Sequence, residues 1–301
     1  MVARPFLQNL MPTKTLAFLS MDDLSGYVFD DDLAIPNLNT LGWTVETVSW
    51  ESQGTDWSQY AAVIIRTTWN YQQNLPAFLD KLCLISSQTR LLNPLDTVKW
   101  NADKSYLREL TANGATPIPT LWGSNISSES EIEAMFAQLG TTEIVIKPTV
   151  SANAEATFRL SLNSPFIPEA VAAFASREFL AQPFLNQVTE DGEYSLFYFN
   201  GDFNHAILKT PKSGDFRVQE EHGGIIQAVT PTQKLLSEGA KIIEVIGHDL
   251  LYARVDFVQI EPGIYAVMEV ELIEPALYLR MDPSAPEQFS LAIHNRLCKT
   301  S

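Results

Sequence analysis

Three carboxylates and an arginine recur at every second position in two apolar segments near the end of the chain. Arg254 and Asp256 stand in the first segment, and Glu269 and Glu271 stand in the second. Alternate side chains of a strand share one face, so this spacing gathers the charged groups. Clustered carboxylates repel one another unless a cation lies between them, and Mg²⁺ prefers such ligands together with phosphate oxygens. The pattern predicts a magnesium site; the alternative is an exposed sheet face with ordinary salt bridges.

The two segments are predicted to pair as an antiparallel hairpin. Pro262-Gly263 between them suits the two central positions of a type II turn. Counting outward from that turn places Asp256 opposite Glu269 and Arg254 opposite Glu271. The charged side is therefore expected to face a cleft or solvent. The intervening positions are apolar and predict a core-facing side: Phe257, Met268, Val270 and Leu272.

Lys147 ends a run of apolar residues, where a lysine is costly unless an anion lies beside it. A phosphate oxygen meets that need, and the simpler alternative is an ammonium group that reaches water at the strand end. The small, polar loop 148–154 follows directly and could close over phosphates with its backbone N–H groups. Because this loop has no glycine, it is a weak match to a phosphate-binding loop.

An apolar strand that leads into a domain connection offers space for a flat ring between two layers. Glu178–Pro183 is such a strand, and Gln182, Pro183 and Phe184 lead out of it. The backbone of this connection is predicted to hydrogen-bond the ring. The alternative is a plain linker between two domains.

Basic residues and glycines gather between residues 209 and 224 of an otherwise acidic chain. Lys209 and Arg217 supply positive charge, and Gly223-Gly224 permit a close approach of the backbone. The stretch predicts an anion site, and the alternative is a polar hairpin loop. Arg66, at the end of a predicted N-terminal strand, is a further candidate for substrate contact.

Three segments are expected to position these residues. Residues 1–95 alternate strands and helices, which predicts an α/β, Rossmann-like domain with a small parallel sheet. Residues 96–184 begin with one helix over Asp96–Asn113, and residues 185–301 read mainly as antiparallel strands, so that the body is α+β. The N-terminal elements are predicted at Thr15–Ser20, Asp30–Leu41, Trp43–Ser49, Tyr60–Arg66, Leu75–Ser86 and Arg90–Leu92.

The composition excludes several classes of function. The chain has 301 residues, of which 46% are hydrophobic, as is typical of a globular protein. Its formal net charge of −16 repels phosphate backbones, so nucleic acid is not an expected partner. Cys83 and Cys298 stand far apart, and no apolar run reaches the roughly 18–20 residues that span a bilayer. The sequence predicts a cytoplasmic protein that acts on small molecules away from membranes, and it permits a homo-oligomer.

Taken in order, these motifs resemble the ATP-grasp superfamily over about residues 96–275. Arg254-Val255-Asp256 is similar to its R-x-D motif, and Glu269-Val270-Glu271 is similar to its E-x-N magnesium motif, with glutamate in place of asparagine. Residues 217–224 resemble the R-x-N-x-x-x-G-G region of the glutathione synthetase and RimK-like branch, with glutamine in place of asparagine. Trp69-Asn70-Tyr71 and the loop 147–152 are similar to the smaller group that includes D-cycloserine synthetase.

The resemblance implies two lobes that clasp ATP, with a role for each of several residues. The lysines that would hold the phosphates are Lys104, Lys147 and Lys209. The residues that would hold adenine through their backbone are Gln182, Pro183 and Phe184, and Glu193 would meet the ribose. The ligands of one or two Mg²⁺ ions would be Asp256, Glu269 and Glu271.

The activity implied by the resemblance is ATP-dependent joining of a carboxylate to an amine through an acylphosphate, with ADP and phosphate as products. The implied substrate is a small amino acid or a derivative, and the bond is an intramolecular or peptide-type amide. Arg254 would stabilise oxygen anions, while Arg217 and Gly223-Gly224 would orient the carboxylate. His205 and His222 are candidates for a general base. Two alternatives stay open: a small-molecule kinase on the same scaffold and a non-catalytic nucleotide-binding module.

Overall fold

The computed structural model describes residues 14–152, 155–247 and 249–298 and arranges them around three β-sheets. The N-terminal, middle and C-terminal parts of the chain contribute one sheet each. Asn153 and Ala154, at the end of the predicted phosphate loop, lie outside the described residues. None of the helices in the described ranges is both long and apolar enough to cross a membrane.

The predicted parallel N-terminal sheet is confirmed. Its strands are β1 (Lys14–Ser20), β2 (Trp43–Ser49), β3 (Ala62–Thr67) and β4 (Leu91–Leu92). They pair in parallel in the order β2-β1-β3-β4, and α1 (Ile35–Thr40) and α2 (Leu75–Gln88) connect them. The single helix expected over Asp30–Leu41 is a 3₁₀ turn followed by α1. Pro36 lies in the first turn of α1, where its fixed φ favours a helix start.

The single helix predicted over Asp96–Asn113 is wrong, because the chain forms two helices there. These are α3 (Leu95–Asn101) and α4 (Tyr106–Ala112). At the break between them, the backbone N–H of Lys104 donates to Thr149 O at 2.8 Å, which is a bond outside any helix. The break therefore ties Lys104 to the middle sheet.

The middle part of the chain contains three short elements that the sequence analysis did not predict, namely two strands and a helix. The strands of the middle sheet are β5 (Leu121–Gly123), β6 (Glu143–Pro148), β7 (Phe158–Ser161) and β8 (Phe179–Pro183), in the antiparallel order β5-β8-β6-β7. Helices α5 (Glu129–Leu139) and α6 (Ile167–Ala173) pack on one face around a core that includes Phe174. The three elements that were not predicted, β5, β7 and α6, are short, which left them without a clear periodic pattern.

The C-terminal sheet is antiparallel, as predicted, and has five strands. They are β9 (Glu193–Phe199), β10 (Asp202–Thr210), β11 (Ile225–Ala228), β12 (Tyr252–Glu261) and β13 (Ile264–Glu271), in the order β11-β10-β9-β12-β13. The short helix α7 (Gln187–Glu190) precedes β9, and α8 (Gln233–Ile246) packs through Leu235 and Ile242 against the same core as β12 and β13.

The predicted hairpin register is confirmed at the charged residues. The pairing between these residues and the turn is interrupted by two bulges. Asp256 pairs with Glu269, and the ladder shifts once on each strand before the turn. Ile260 on β12 and Met268 on β13 each lack a partner, and the two bulges cancel. The expectation that Met268 faces the core with Phe257 is wrong, because the bulge turns it to the other side, where it lines a cavity.

A C-terminal helix that the sequence analysis missed, α9 (Ala285–Cys298), joins the first and third sheets. Its Phe289 is fully buried, with ring centroids 5.3 Å from Phe199 of β9 and 6.3 Å from Tyr252 of β12. Ser290 Oγ donates to Ala34 O at 3.0 Å on the N-terminal side. The N-terminal domain thus shares a core with the C-terminal sheet.

Candidate active site

One cavity lies where the three sheets meet, and most of the residues singled out from the sequence line it. The lining includes Lys104, Lys147, Gln182, Pro183, Phe184, Glu193, Lys209, Arg217, Arg254, Asp256, Glu269 and Glu271. Arg66, Gly223 and Gly224 are not part of it. The charged groups come from β6, β9, β10, β12, β13, the α3–α4 break and the loop between β10 and β11, so the middle and C-terminal sheets position most of them.

Asp256 is the most heavily contacted carboxylate of the cavity. Arg254 Nη2 lies 3.0 Å from its Oδ2, Lys209 Nζ lies 3.4 Å from the same oxygen, and Ser195 Oγ donates to Oδ1 at 2.5 Å. Burial acts to raise the pKa of Asp256, but Arg254 and Lys209 outweigh it and lower that pKa. Asp256 is therefore a carboxylate in the neutral range of pH. Ser195 was not predicted, because a serine in a strand carries no pattern of its own.

The two glutamates of β13 have different partners and different pKa directions. Lys104 Nζ lies 3.1 Å from Glu269 Oε1 and also donates to Ser151 O at 2.7 Å. Burial opposes ionisation of Glu269, but Lys104 and Lys147 lower its pKa. Burial raises the pKa of Glu271 to about 7, even though Arg254 Nη2 forms an ion pair with it. Repulsion from the other carboxylates adds to that rise.

Lys147 differs from the other cavity lysines because it makes no ion pair or hydrogen bond with the described residues. Burial lowers its pKa, and the nearby carboxylate of Glu269 acts in the opposite direction. Its ammonium group is thus available to an anion in the cavity. Of the residues that the sequence assigned to phosphate, Lys147 is the one whose placement leaves it open to a ligand.

Lys209 and Glu193 form a buried ion pair across the β9–β10 ladder. Burial raises the pKa of Glu193, which Lys209 partly offsets. Burial acts to lower the pKa of Lys209, but the carboxylates of Asp256 and Glu193 raise it overall. Lys209 is therefore a permanent cation between two carboxylates.

The cavity has an apolar slot beside the predicted ring-binding residues. Its walls are Ile118, Val145, Leu185 and Met268. Phe184 is held from both sides, with the Arg159 guanidinium 3.6 Å from its ring centroid and Phe216 perpendicular to it. The backbone N–H of Phe184 donates to Glu143 O at 2.9 Å. This N–H group, one of those predicted to bind a ring, is therefore already hydrogen-bonded.

The stretch that was predicted to be an anion site contributes less to the cavity than expected. Arg217 lines the cavity, but its Nη2 lies 2.8 Å from Asp215 Oδ2 within the same loop, and that ion pair lowers the pKa of Asp215. Gly223 has a φ of 84°, and a Cβ at Gly224 would lie 2.0 Å from Val218 O. The two glycines therefore shape the loop, and their contact with a substrate stays a prediction.

Arg66 lies outside the cavity and is paired with other groups of the chain, so its contact with substrate stays a prediction. Arg66 is 1% exposed, its Nε lies 2.9 Å from Asp31 Oδ1, and its Nη2 donates to Pro275 O at 2.9 Å. Its guanidinium also lies over the Tyr252 ring, 5.0 Å from the centroid. Arg66 therefore joins the N-terminal sheet to the segment after β13.

Neither histidine named as a base lines the cavity. His205 is buried, its Nε2 donates to Leu277 O at 3.0 Å, and its ring stacks on Phe197 at 4.2 Å. Burial lowers the pKa of His205 to about 4, so it is a neutral, packed residue. His222 lies in the loop before β11. The sequence patterns could not separate these packed or loop histidines from catalytic ones.

The donors of the cavity suit a magnesium ion chemically, because Asp256, Glu269 and Glu271 supply hard carboxylate oxygens beside buried lysines. Within the residues that the structure describes, no three His, Cys, Asp or Glu side chains are grouped so that they could hold a metal ion. The reason is that each carboxylate turns towards a cation of the chain. Binding of Mg²⁺ would exchange these partners.

Two family models match the chain. Residues 16–93 match the N-terminal domain of D-cycloserine synthetase DcsG, and residues 118–281 match the ATP-grasp domain of prokaryotic glutathione synthetase. The second match covers more than half of the chain.

Individual proteins agree with these matches. The cycloserine biosynthesis protein DcsG of Streptomyces lavendulae is 30% identical over 86% of this chain and 90% of its own length. The crystal structure of D-cycloserine synthetase DcsG superposes with a TM-score of 0.83 at 27% identity, over 94% of this chain and 99% of that one. The ATP-grasp ligase PsnB, with a minimal precursor variant, Mg and ADP, has a TM-score of 0.62 at 16% identity, over 95% and 98%.

Proposed function

Because this chain belongs to the ATP-grasp family of ligases, we propose that its cavity activates a carboxylate with ATP and joins it to an amine. The observation that carries the proposal is the convergence of three carboxylates, Arg254 and the unpaired Lys147 on one cavity. A purely structural salt-bridge cluster would pair each of the lysines that line the cavity. Here Lys147 lacks a partner among the described residues, and an arriving phosphate would supply it.

The nucleotide is proposed to lie with its base in the apolar slot and its phosphates at the lysines. Gln182, Pro183 and Phe184 line the cavity beside the slot, and Glu193, which pairs with Lys209, is the proposed ribose partner. The phosphates are proposed to contact Lys147, whose ammonium group has no partner among the described residues. Lys104 and Lys209 can follow once their carboxylates bind metal.

Asp256, Glu269 and Glu271 are the proposed magnesium ligands. Bound Mg²⁺ would neutralise negative charge on the β- and γ-phosphates. PsnB, a relative in fold, has been observed with Mg and ADP. Since the pKa of Glu271 is raised to about 7, this carboxylate is the one whose ionisation metal binding would change most.

The reaction proposed has two balanced steps. A carboxylate oxygen of the substrate attacks the γ-phosphorus and ADP leaves, which gives an acylphosphate. An amine then attacks the acyl carbon, loses a proton and releases inorganic phosphate. Arg254 lies beside the cluster with a pKa well above the ordinary value, because the neighbouring carboxylates outweigh burial, so it stays charged and stabilises the developing oxygen anion.

The substrate is proposed to be a small amino acid or a derivative, and the bond an intramolecular or peptide-type amide. The matching relatives carry the name of D-cycloserine synthetase, which supports a small amino-acid derivative. The proposed division of labour assigns residues 1–95 to the substrate side, and residues 96–184 and 185–301 to the two lobes around ATP. Arg217 remains a proposed contact to the substrate carboxylate once it leaves Asp215.

The experiment that tests the function measures ADP and phosphate release with a panel of small amino acids and amines, with and without Mg²⁺. A ligase releases one phosphate for each ADP, whereas phosphate retained on the product would indicate a kinase. Arg254→Lys, which keeps the charge but loses the planar fork, is expected to slow turnover. Wild-type protein that binds no nucleotide in the presence of Mg²⁺ would contradict the proposal.

A further inference from the structure

Glu274 is a cavity carboxyl that the sequence patterns did not mark and that the proposed ATP site does not use. The chain leaves β13 at Glu271, and three residues later the side chain of Glu274 lines the same cavity with 9% of its surface exposed. Trp69 Nε1 donates to Glu274 O at 2.9 Å and so holds the backbone carbonyl of this residue. The side chain is therefore buried and lines the cavity, and its backbone is tied to Trp69.

Glu274 lacks the cation that the other cavity carboxylates have. Asp256, Glu269, Glu271 and Glu193 each form an ion pair with a lysine or arginine. Among the described residues, Glu274 has no ion pair and its carboxyl makes no hydrogen bond. Burial raises its pKa well above the ordinary value, and repulsion from Glu271 adds to the rise. A buried carboxyl without a partner is costly, and a ligand that brings a positive charge would offset that cost.

Aromatic rings border the same end of the cavity. Tyr27, Trp69 and Tyr71 all line it, and the rings of Tyr27 and Trp69 lie 5.1 Å apart between centroids. Tyr71 lies close enough to Glu274 for that carboxyl to raise its pKa further, after burial. Aromatic faces attract cations, and together with a carboxylate they recognise ammonium groups.

A cation lies on the other side of this region. Arg254 Nη1 donates to Ala276 O at 3.4 Å, which places the guanidinium beside the segment that carries Glu274. The cavity thus presents the Arg254 cation beside the segment that carries Glu274, whose carboxyl has no partner among the described residues. That arrangement is complementary to a zwitterion, in which a carboxylate and an ammonium group stand close together.

We propose that Glu274, with the rings of Tyr27 and Trp69, binds the ammonium group of an amino-acid substrate whose carboxylate lies towards Arg254. This assignment rests on the proposed ligase function. It specifies which residues would bind the positive charge of the substrate. The ammonium nitrogen held by Glu274 is not the nucleophile, because an ion pair with a carboxylate keeps the nitrogen protonated. The nitrogen that forms the new bond is a different atom of the same or another substrate.

The test uses the full chain saturated with Mg²⁺ and ADP and measures the binding of small ligands by ligand-detected NMR. The probes are D- and L-alanine, D- and L-serine and D-cycloserine, paired with the deaminated acids propionate and glycerate. Wild-type protein is expected to bind at least one amino-bearing probe and to bind the deaminated partners at least about 30-fold more weakly. Glu274→Gln, which keeps the shape, is expected to remove that preference, whereas Glu244→Gln on the exposed side of α8 keeps it.

Three results would overturn the assignment: wild-type protein that binds none of the amino-bearing probes, equal binding of the amino-bearing and deaminated probes, or a Glu274→Gln variant that keeps the preference. Binding of Mg²⁺–ADP is measured in the same samples. If wild-type protein fails to bind Mg²⁺–ADP, the proposed function fails. If it binds Mg²⁺–ADP and shows one of the three results, only the role of Glu274 fails.

Discussion

Lys104 Nζ lies 3.1 Å from Glu269 Oε1, so a lysine at the break between α3 and α4 neutralises a carboxylate of the last strand. Two distant parts of the chain meet in this pair, and each would have to release the other to bind phosphate and metal. Without a ligand, this ion pair therefore connects the α3–α4 break to the C-terminal sheet. Phosphate and metal would have to replace it when they bind.

We expect Glu269→Gln to reduce magnesium-dependent ATP turnover by at least about 10²-fold, because it removes one of the proposed anionic metal ligands. The fold should persist, since glutamine still accepts a hydrogen bond from Lys104. Steady-state release of ADP and phosphate over a range of Mg²⁺ concentrations checks this. Glu244→Gln serves as the matched control. Turnover that is unchanged by Glu269→Gln would place the metal elsewhere.

Lys147→Met is expected to weaken Mg²⁺–ATP binding by about 10- to 100-fold, since a hydrogen bond to a charged group contributes about 1.5–3 kcal/mol. Its thermal stability without nucleotide should stay the same or rise, because the variant removes a half-buried charge that has no partner among the described residues. Calorimetric titration measures the affinity for Mg²⁺–ATP, and thermal unfolding measures the stability. Lys99→Met, at an exposed position of α3, should change neither. A loss of stability with intact nucleotide affinity would show that Lys147 is structural.

Arg66→Met should lower the free energy of unfolding by about 3–5 kcal/mol, because it leaves the buried carboxylate of Asp31 without its partner. Urea unfolding measures this loss. The double variant with Asp31→Asn is expected to recover part of it, since the unpaired charge is then gone as well. If Arg66→Met instead raised the KM of a substrate at unchanged stability, the substrate role first expected for Arg66 would be supported.

His205 predicts a pH dependence of stability. Its pKa is about 4 in the folded protein and about 6.5 when unfolded, so between these values the unfolded chain binds more protons. Its contribution is therefore complete above pH 6.5 and is lost as the pH falls towards 4, with a total of up to about 3 kcal/mol.

We expect His205→Phe, which keeps a ring against Phe197, to flatten the slope of unfolding free energy between pH 4 and 6.5. Urea unfolding at several pH values measures the slope, and His222→Asn is the comparison because that histidine lies in a loop. A slope in His205→Phe as steep as in the wild-type protein would mean that His205 titrates normally.

The sheets could be predicted because their strands carry strong periodic patterns. The run Trp43–Ser49 was placed at its observed bounds, and the alternation along β12 and β13 brought Asp256 and Glu269 together. Such patterns report burial on one face of an element. The parallel direction of the strands in the N-terminal sheet followed from the alternation of strands and helices.

The errors arose where tertiary contacts outweighed local preference. The helix predicted through Lys104 breaks because its backbone bonds to Thr149, which no window of sequence could indicate. Arg66 and Glu274 show the same limit from opposite directions. Arg66 lies near the end of β3 and forms an ion pair with Asp31, so its guanidinium is already engaged. Glu274 follows the end of β13, has no cation beside it among the described residues and lines the cavity.

The two bulges of the last hairpin compensate for each other, because each strand carries one extra residue. Ile260 adds one residue to β12 and Met268 adds one to β13, and the opposition of Asp256 and Glu269 depends on both. Loss of either residue alone would move Glu269 by one position and turn it towards the core, whereas loss of both would restore the pairing. Among related chains, a single insertion or deletion near this turn would therefore be selected against. A change in the length of one strand would be kept only together with an equal change in the other.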